Sequence, residues 1–354
     1  MSEFTADLRA WIDRLLAGDP TACARVISMV EPMDARSDAI LGALFPRLGH
    51  ARRIGIAGPP GAGKSTLCAR LAAAWRKRDL RVGVVAVDPT SPLTGGALLG
   101  DRIRLRDLGT DAGVFVRSLA SRGSLGGLSL ASGRVADVLD AWGSDLILLE
   151  TVGMGQVGDD VRAEADTIVV VLVPESGDGV QTLKAGLLEL ADVLVVNKMD
   201  RPGGTLMLRQ LESRPRELAA GDWVPPVVGT QAITGEGVEE LVAALDRHAA
   251  WREAALGGAG GTEGGGSGVG GRAGRRDDPA FWRRRFVELA ETRLRRDLRA
   301  RIEGDAALAS TIDDVRAGRL PLDEALARLI RAFHEAALHP SDRRGAPRRS
   351  RGPR

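Results

Sequence analysis

The chain has 354 residues, 44% of them apolar, a formal net charge of +2 and two cysteines. Near-neutral charge gives no electrostatic case for a nucleic acid or an anionic membrane as a specific partner. Two cysteines, Cys23 and Cys68, are too few for a disulfide framework or a four-cysteine zinc site, which fits a reducing compartment. The aromatic content is 3% and there is no Tyr, so the core is to be built from Ala, Val, Leu and Ile. That composition suits parallel strands buried on both faces. The amphipathic start "MSEFTADLRAWIDRLL" does not read as a signal peptide, and no apolar run reaches membrane-spanning length. A soluble, cytoplasmic protein is expected.

In chain order, residues 1–50 are expected to be a helical region. Leu8, Trp11, Ile12, Leu15 and Leu16 fall on one helical face. Residues 51–256 then alternate short apolar runs with helical stretches. The runs are "RIGIA" (53–57), "RVGVVAV" (81–87), "LILLE" (146–150), "TIVVVLV" (167–173) and "VLVVN" (193–197), with another strand-like run before Gln231. This pattern predicts an α/β fold with a doubly wound, mostly parallel sheet. Residues 257–276 are expected to be a flexible linker, since 11 of positions 257–274 are Gly. Residues 277–340 predict a C-terminal helical arm. Asp278 is placed to cap its first helix and Pro279 to start it. Its apolar stripes are Trp282, Phe286, Leu289 and Ala290, then Leu322, Leu326, Leu329, Ile330 and Phe333 from a helix starting near Pro321. Those stripes must pack on the sheet domain or on a second copy. Residues 341–354 form a basic tail expected to be disordered.

The chemistry concentrates in "IGIAGPPGAGKSTLCARLAAAW", residues 54–75. Gly58, Pro59, Pro60, Gly61, Ala62, Gly63, Lys64, Ser65 and Thr66 make a phosphate-binding loop between a strand and a helix. Glycines let backbone N–H groups approach phosphate oxygens, and the helix start offers them its positive end. Lys64 is expected at the β- and γ-phosphates and the Ser65 hydroxyl on Mg²⁺. "VVNKMD" follows a strand, counted as the fifth. There Asp200 would accept from N1–H and the exocyclic amine of guanine, a donor pair adenine lacks. Asn197 would brace the base and the loop, and the Lys198 stem would cover the base. In "TQAITGEG", Gln231, Ala232 and Ile233 would present N–H groups to the guanine oxygen. "ETVG" puts Glu150 and Gly153 at a strand end, where the carboxylate can hold Mg²⁺ and the Gly153 N–H can sense a γ-phosphate. Asp88 ends a strand and Asp101 sits in a Gly-rich loop, and both are acidic candidates for the metal.

The strings "AVDPTSPLTGGALLGDRIR", "RGSLGGLS", "ETVGMGQ", "VPESGDGVQTLKAGLLELADVLVVNKMD" and "TGEG" occur in order. Together they resemble the methylmalonyl-CoA mutase-associated GTPases, over about residues 4–256 and more loosely beyond 277. The resemblance implies a homodimer that binds GTP or GDP with Mg²⁺. It would serve a cobalamin-dependent acyl-CoA mutase by gating adenosylcobalamin loading and by protecting or reactivating the mutase. It also implies that Lys64 and Ser65 hold phosphate and metal, and that Asp88, Asp101 and Glu150 form the metal and switch set. Lys64, Asp101 and Glu150 then carry hydrolysis, and Asn197, Lys198 and Asp200 read the base. Asp178, Gln181 and Lys184 match a further switch loop, and the helices after the linker match a dimerisation arm. The insert at 257–274 is longer than the family pattern, and "MGQVGDDV" departs from the pattern after Gly153. Met154 stands where a Ras-like switch has its water-orienting Gln, and Gln156 lies two positions further on. Two other readings remain: a nickel metallochaperone GTPase, which needs clustered Cys or His, and a kinase linked to amino-acid transport.

Overall fold

The computed structural model describes residues 6–88, 111–120, 128, 130–151, 159–174, 188–213, 222–257 and 279–338. Three N-terminal helices come first: α1 (Ala6–Leu16), α2 (Pro20–Val30) and α3 (Ala35–Leu44). The breaks between them are written in aspartates. The Asp19 carboxylate accepts from the Thr21 and Ala22 N–H groups at the start of α2, where Pro20 takes the first turn. Asp34 forms a capping box with Ser37 at the start of α3. Leu8, Ile12 and Leu15 of the expected α1 face are buried.

The sheet follows. Its strands are β1 (Arg52–Ala57), β2 (Val82–Asp88), β3 (Val114–Ala120), β4 (Leu146–Glu150), β5 (Thr167–Leu172), β6 (Val193–Asn197) and β7 (Val227–Thr230). They lie in the order β3-β2-β4-β1-β5-β6-β7, and every pairing is parallel. The doubly wound expectation therefore holds, with one strand more than the sequence runs showed. β3 was missed, so "VVNKMD" ends the sixth strand and not the fifth. β3 reads "VFVRSLA", and its polar middle marks an edge position. Arg117 there pairs with Glu31 of α2 at 2.6 Å, so a charged side chain ties the edge strand to the N-terminal helices.

Between the strands run α4 (Lys64–Arg76), α5 (Leu130–Ala141), α6 (Asp159–Glu164), α7 (Gly204–Glu212) and α8 (Val238–Gly257). On one face, Leu67, Cys68, Leu71 and Trp75 of α4 and Leu241, Val242 and Leu245 of α8 join Ile54, Ile56, Val82, Val84 and Leu148 in a core. On the other, Val135 and Leu139 of α5 and Val161 of α6 are buried. β1 is central, and the chain runs out to one side of it through β2 and to the other through β5. This is the topology that opens a ligand crevice at the carboxyl ends of the strands.

Two buried polar clusters sit at the opposite ends of the strands. Arg53 is fully buried, with Nη2 2.7 Å from Asp137 Oδ1 and Nη1 3.1 Å from Glu164 Oε2. The neighbouring carboxylates outweigh the cost of burial and hold its guanidinium charged. Asp140 beside them accepts from the N–H groups of Gly49, His50 and Ala51. Arg53→Met would remove the buried guanidinium that Asp137 and Glu164 share, and we expect it to lower unfolding stability by about 3 kcal/mol in urea titrations.

His248 of α8 lies 2.8 Å from Thr167 Oγ1 through Nδ1 and 3.6 Å from Asp192 Oδ1 through Nε2. Burial outweighs that carboxylate and pushes the imidazole down from 6.5 to about 4. The folded chain therefore takes up this proton later than the unfolded chain. Its contribution is complete above pH 6.5 and is lost as pH falls toward 4, by roughly 3 kcal/mol. Urea midpoints between pH 7 and 4.5 should fall less steeply in His248→Gln.

The described chain divides into two compact units, the first ending at Arg284 and the second beginning at Arg285. The boundary falls within α9 (Pro279–Gly304), which does begin at Pro279; Asp278 lies outside the described residues. In the second unit α10 (Ala306–Arg316) packs on α11 (Leu322–Leu338). α10 was not anticipated, because "AALASTIDDVR" is small and polar and lacks a strong stripe. Leu322, Leu326 and Ile330 of α11 are exposed at successive helical turns. Among the described residues no helix is long and apolar enough to cross a membrane.

Candidate nucleotide site

At the carboxyl end of β1 the chain turns through Gly58–Gly63 into α4. Two glycines fix the shape of this turn. Gly58 has φ 146°, and a Cβ there would collide with the Val171 carbonyl oxygen of β5. Gly63 has φ 91°, and a Cβ there would collide with Asn197 Nδ2. The loop thus runs hard against the end of β5 and against the side chain that closes β6. Gly63 also takes the N-cap position of α4, which leaves the first N–H groups of the helix without a capping side chain.

Lys64 and Ser65 open α4, and both are buried. The Lys64 ammonium donates to the carbonyls of Gly58 at 3.0 Å and Pro59 at 3.1 Å. Its charge therefore lies over the loop, close to the positive end of the helix. Two positive potentials converge there, which is the arrangement that receives phosphate. The Ser65 hydroxyl donates to Glu150 Oε1 at 2.6 Å. Glu150 ends β4 and is 4% exposed. β4 lies beside β1, and the register Ile56↔Glu150 brings the carboxylate level with the start of the loop. Just beyond, the Thr151 N–H and hydroxyl both donate to Ile56 O, at 3.1 and 3.2 Å.

The second half of the site closes around Asn197 at the end of β6, 2% exposed. Its Nδ2 donates to Ala62 O in the phosphate loop at 2.8 Å. Its Oδ1 accepts from Thr230 Oγ1 at 3.1 Å and from the Ala232 N–H at 3.0 Å. One amide therefore joins three segments: the loop after β1, the end of β6 and the turn after β7. Lys198 follows with φ 61°, a left-handed conformation that is costly for a residue with a long side chain. Its backbone is pinned on both sides. The Arg201 N–H donates to Lys198 O at 2.9 Å, and the Met199 N–H to Thr230 O at 3.1 Å. Asp200 is exposed at this corner. The turn Gln231–Glu236 is closed by Gln231 N–H to Glu236 O, with the Thr234 and Gly235 N–H groups both donating to Gln231 O.

The structure thus brings together Gly58, Pro59, Pro60, Gly61, Ala62, Gly63, Lys64, Ser65, Thr66, Glu150, Asn197, Lys198, Asp200, Gln231, Ala232 and Ile233 at one end of the sheet. Asp88 ends β2, next to β4, at the same end. Asp101, Gly153, Met154, Gln156, Asp178, Gln181 and Lys184 lie outside the described residues. Sequence reasoning overlooked Thr230 and Thr151. The signal for each was a Thr beside a candidate residue at a strand end, Thr151 just after β4 and Thr230 as the last residue of β7.

Compared with known proteins, the chain has clear relatives. The family model described as "Methylmalonyl Co-A mutase-associated GTPase MeaB" matches residues 23–261, about two thirds of the chain. The chain belongs to the MeaB family. A Pyrococcus horikoshii protein named as a GTPase is 48% identical over 241 residues, which covers 67% of this chain and 76% of that one. A Caulobacter vibrioides protein, also named as a GTPase, is 36% identical over 337 residues, covering 92% and 98%. The solved structure titled as a LAO/AO transport system kinase superposes with TM-score 0.62 at 24% identity, covering 94% of this chain and 100% of that one. At that identity the likeness concerns the fold. As a MeaB-family protein, the chain is a GTP hydrolase that binds guanine nucleotide.

Proposed function

We propose that this MeaB-family chain is a Mg²⁺-dependent GTPase switch that serves a cobalamin-dependent acyl-CoA mutase. It gates adenosylcobalamin loading and protects or reactivates the mutase, acting in the cytoplasm as a homodimer. The observation that carries the nucleotide half of this reading is the Asn197 amide, which ties Ala62 of the phosphate loop to Ala232 of the base loop. Phosphate and base are thereby read by parts that move together, as a switch requires. The family supports the choice of partner.

In this reading water attacks the γ-phosphorus of GTP. A bond forms from the water oxygen to phosphorus, and the bond from phosphorus to the β–γ bridging oxygen breaks. GDP and phosphate leave. Lys64 and the N–H groups of the loop and α4 face the charge that grows on the phosphoryl oxygens. The Ser65 hydroxyl and the Glu150 carboxylate, 2.6 Å apart, are hard oxygen donors of the kind that suits Mg²⁺. Ser65, Glu150, Asp88 and Asp101 would hold the ion, which would supply further charge neutralisation at the β- and γ-phosphates. Asp200 reads the Watson–Crick edge of guanine; of Gln231, Ala232 and Ile233, it is Ile233 whose N–H faces its oxygen, since the Gln231 and Ala232 N–H groups donate to Glu236 O and Asn197 Oδ1. Residues 277–340 serve as the dimerisation arm, supported by the exposed apolar face of Leu322, Leu326 and Ile330. Residues 257–276 act as its tether.

The test is cofactor transfer. Adenosylcobalamin is offered to a cobalamin-free acyl-CoA mutase with this chain present and GTP, GDP or no nucleotide added, and loading is followed by absorbance. The reading requires loading to depend on nucleotide state. Equal loading under all three conditions rejects it.

A further inference from the structure

Arg70 lies on α4, about 9 Å along the helix axis from Lys64. Its side chain reaches across to the turn after β7. Nε donates to Ala232 O at 3.0 Å, and Nη2 donates to Ile233 O. The two carbonyls are consecutive, and the planar fork of the guanidinium takes both at once. Apolar packing does not hold the tip of that turn, because the Ile233 side chain is 74% exposed. The turn is held internally by Gln231 and Glu236, and from β6 by Asn197. Arg70 adds a tie of a different kind, from the helix whose first residues are Lys64 and Ser65.

We propose that Arg70 is a positioning residue that latches the base loop to the phosphate-loop helix and thereby sets how long guanine nucleotide stays bound. This rests on the nucleotide site described above. In a trans peptide the carbonyl and the following N–H point in opposite directions. Holding Ala232 O against the guanidinium therefore turns the Ile233 N–H away from it, as a donor. Holding Ile233 O does the same for the next peptide, whose Thr234 N–H closes the turn onto Gln231. With the fork removed, the Ala232 carbonyl is free to swing, while the next peptide is still held by the Thr234 N–H on Gln231 O. An acceptor facing the guanine oxygen would repel it where a donor attracts it. Arg70 thus acts on the base through the loop and does not touch the phosphates.

The test compares wild type, Arg70→Met and Arg70→Lys in the full-length chain. Met keeps most of the apolar stem, and Lys keeps the charge with one nitrogen in place of the fork. Dissociation of a fluorescent GDP is followed by stopped flow, and KM and kcat for GTP are measured beside it. Loss of a charged, partly exposed hydrogen-bonding pair predicts GDP release roughly fivefold to tenfold faster in Arg70→Met. Arg70→Lys should fall between, KM for GTP should rise by a similar factor, and kcat should hold at saturation. Pyrophosphate, which carries no base, should bind all three alike. GDP release from Arg70→Met at the wild-type rate overturns the latch. So does an equal loss of pyrophosphate affinity, which would mean that the whole loop has loosened. Failure of the wild-type chain to bind GDP at all would instead overturn the site reading on which the latch depends.

Discussion

Lys64→Ala is expected to lower the rate of GTP hydrolysis by roughly 10³-fold, in line with the loss of one preorganised donor to a developing oxyanion. The reasoning runs from position. Lys64 is the first residue of α4, and its ammonium is held over the loop by the carbonyls of Gly58 and Pro59. Those carbonyls are neutral, so phosphate oxygens entering the loop offer the ammonium a stronger partner. Removing the ammonium leaves the fold in place, because Leu67, Cys68, Leu71 and Trp75 anchor α4 on the sheet. The loss should therefore appear in turnover and not in the unfolding midpoint. Phosphate release measured at saturating GTP, beside thermal unfolding of the same sample, checks both halves. Hydrolysis within tenfold of wild type would place the catalytic charge elsewhere.

Asp200→Asn is expected to weaken GTP binding by roughly 10³-fold while improving binding of xanthosine triphosphate, because a site built around paired hydrogen bonds rejects a mismatched partner strongly. In its proposed role the carboxylate accepts two hydrogen bonds from guanine. The amide of Asn has one acceptor and one donor, and the donor meets the exocyclic amine. Xanthine carries an oxygen in that place and accepts the donor. Asp200 is exposed at the corner that Asn197 and Lys198 build, so the substitution should leave packing untouched. Competition of each triphosphate against fluorescent GDP decides the matter. A variant that keeps its preference for GTP would show that the base is read by other residues.

Much of this site was legible because its chemistry is local in sequence. The phosphate loop needs glycines where φ is positive and where the end of β5 and Asn197 leave no room, so the pattern records the geometry directly. The residues proposed to read the base follow a strand run without a break, and the run and the motif support each other. β3 was not legible, since Arg117 and Ser118 interrupt its apolar character. That interruption makes sense only once Arg117 is seen against Glu31. The Arg53 cluster was hidden for a related reason. Its carboxylates are 84 and 111 residues away, and "RIGIA" gives no sign that its own arginine is fully buried. Arg70 is the same case in the site itself, with its acceptors 162 and 163 residues distant. Pairings over such distances are set by how the helices pack on the sheet.

The most direct measurement is GTP hydrolysis by the purified chain, alone and with a cobalamin-dependent acyl-CoA mutase added. The account predicts a rate that rises clearly with mutase and stays flat in Lys64→Ala. Unchanged turnover in the presence of methylmalonyl-, isobutyryl- and ethylmalonyl-CoA mutases would contradict it.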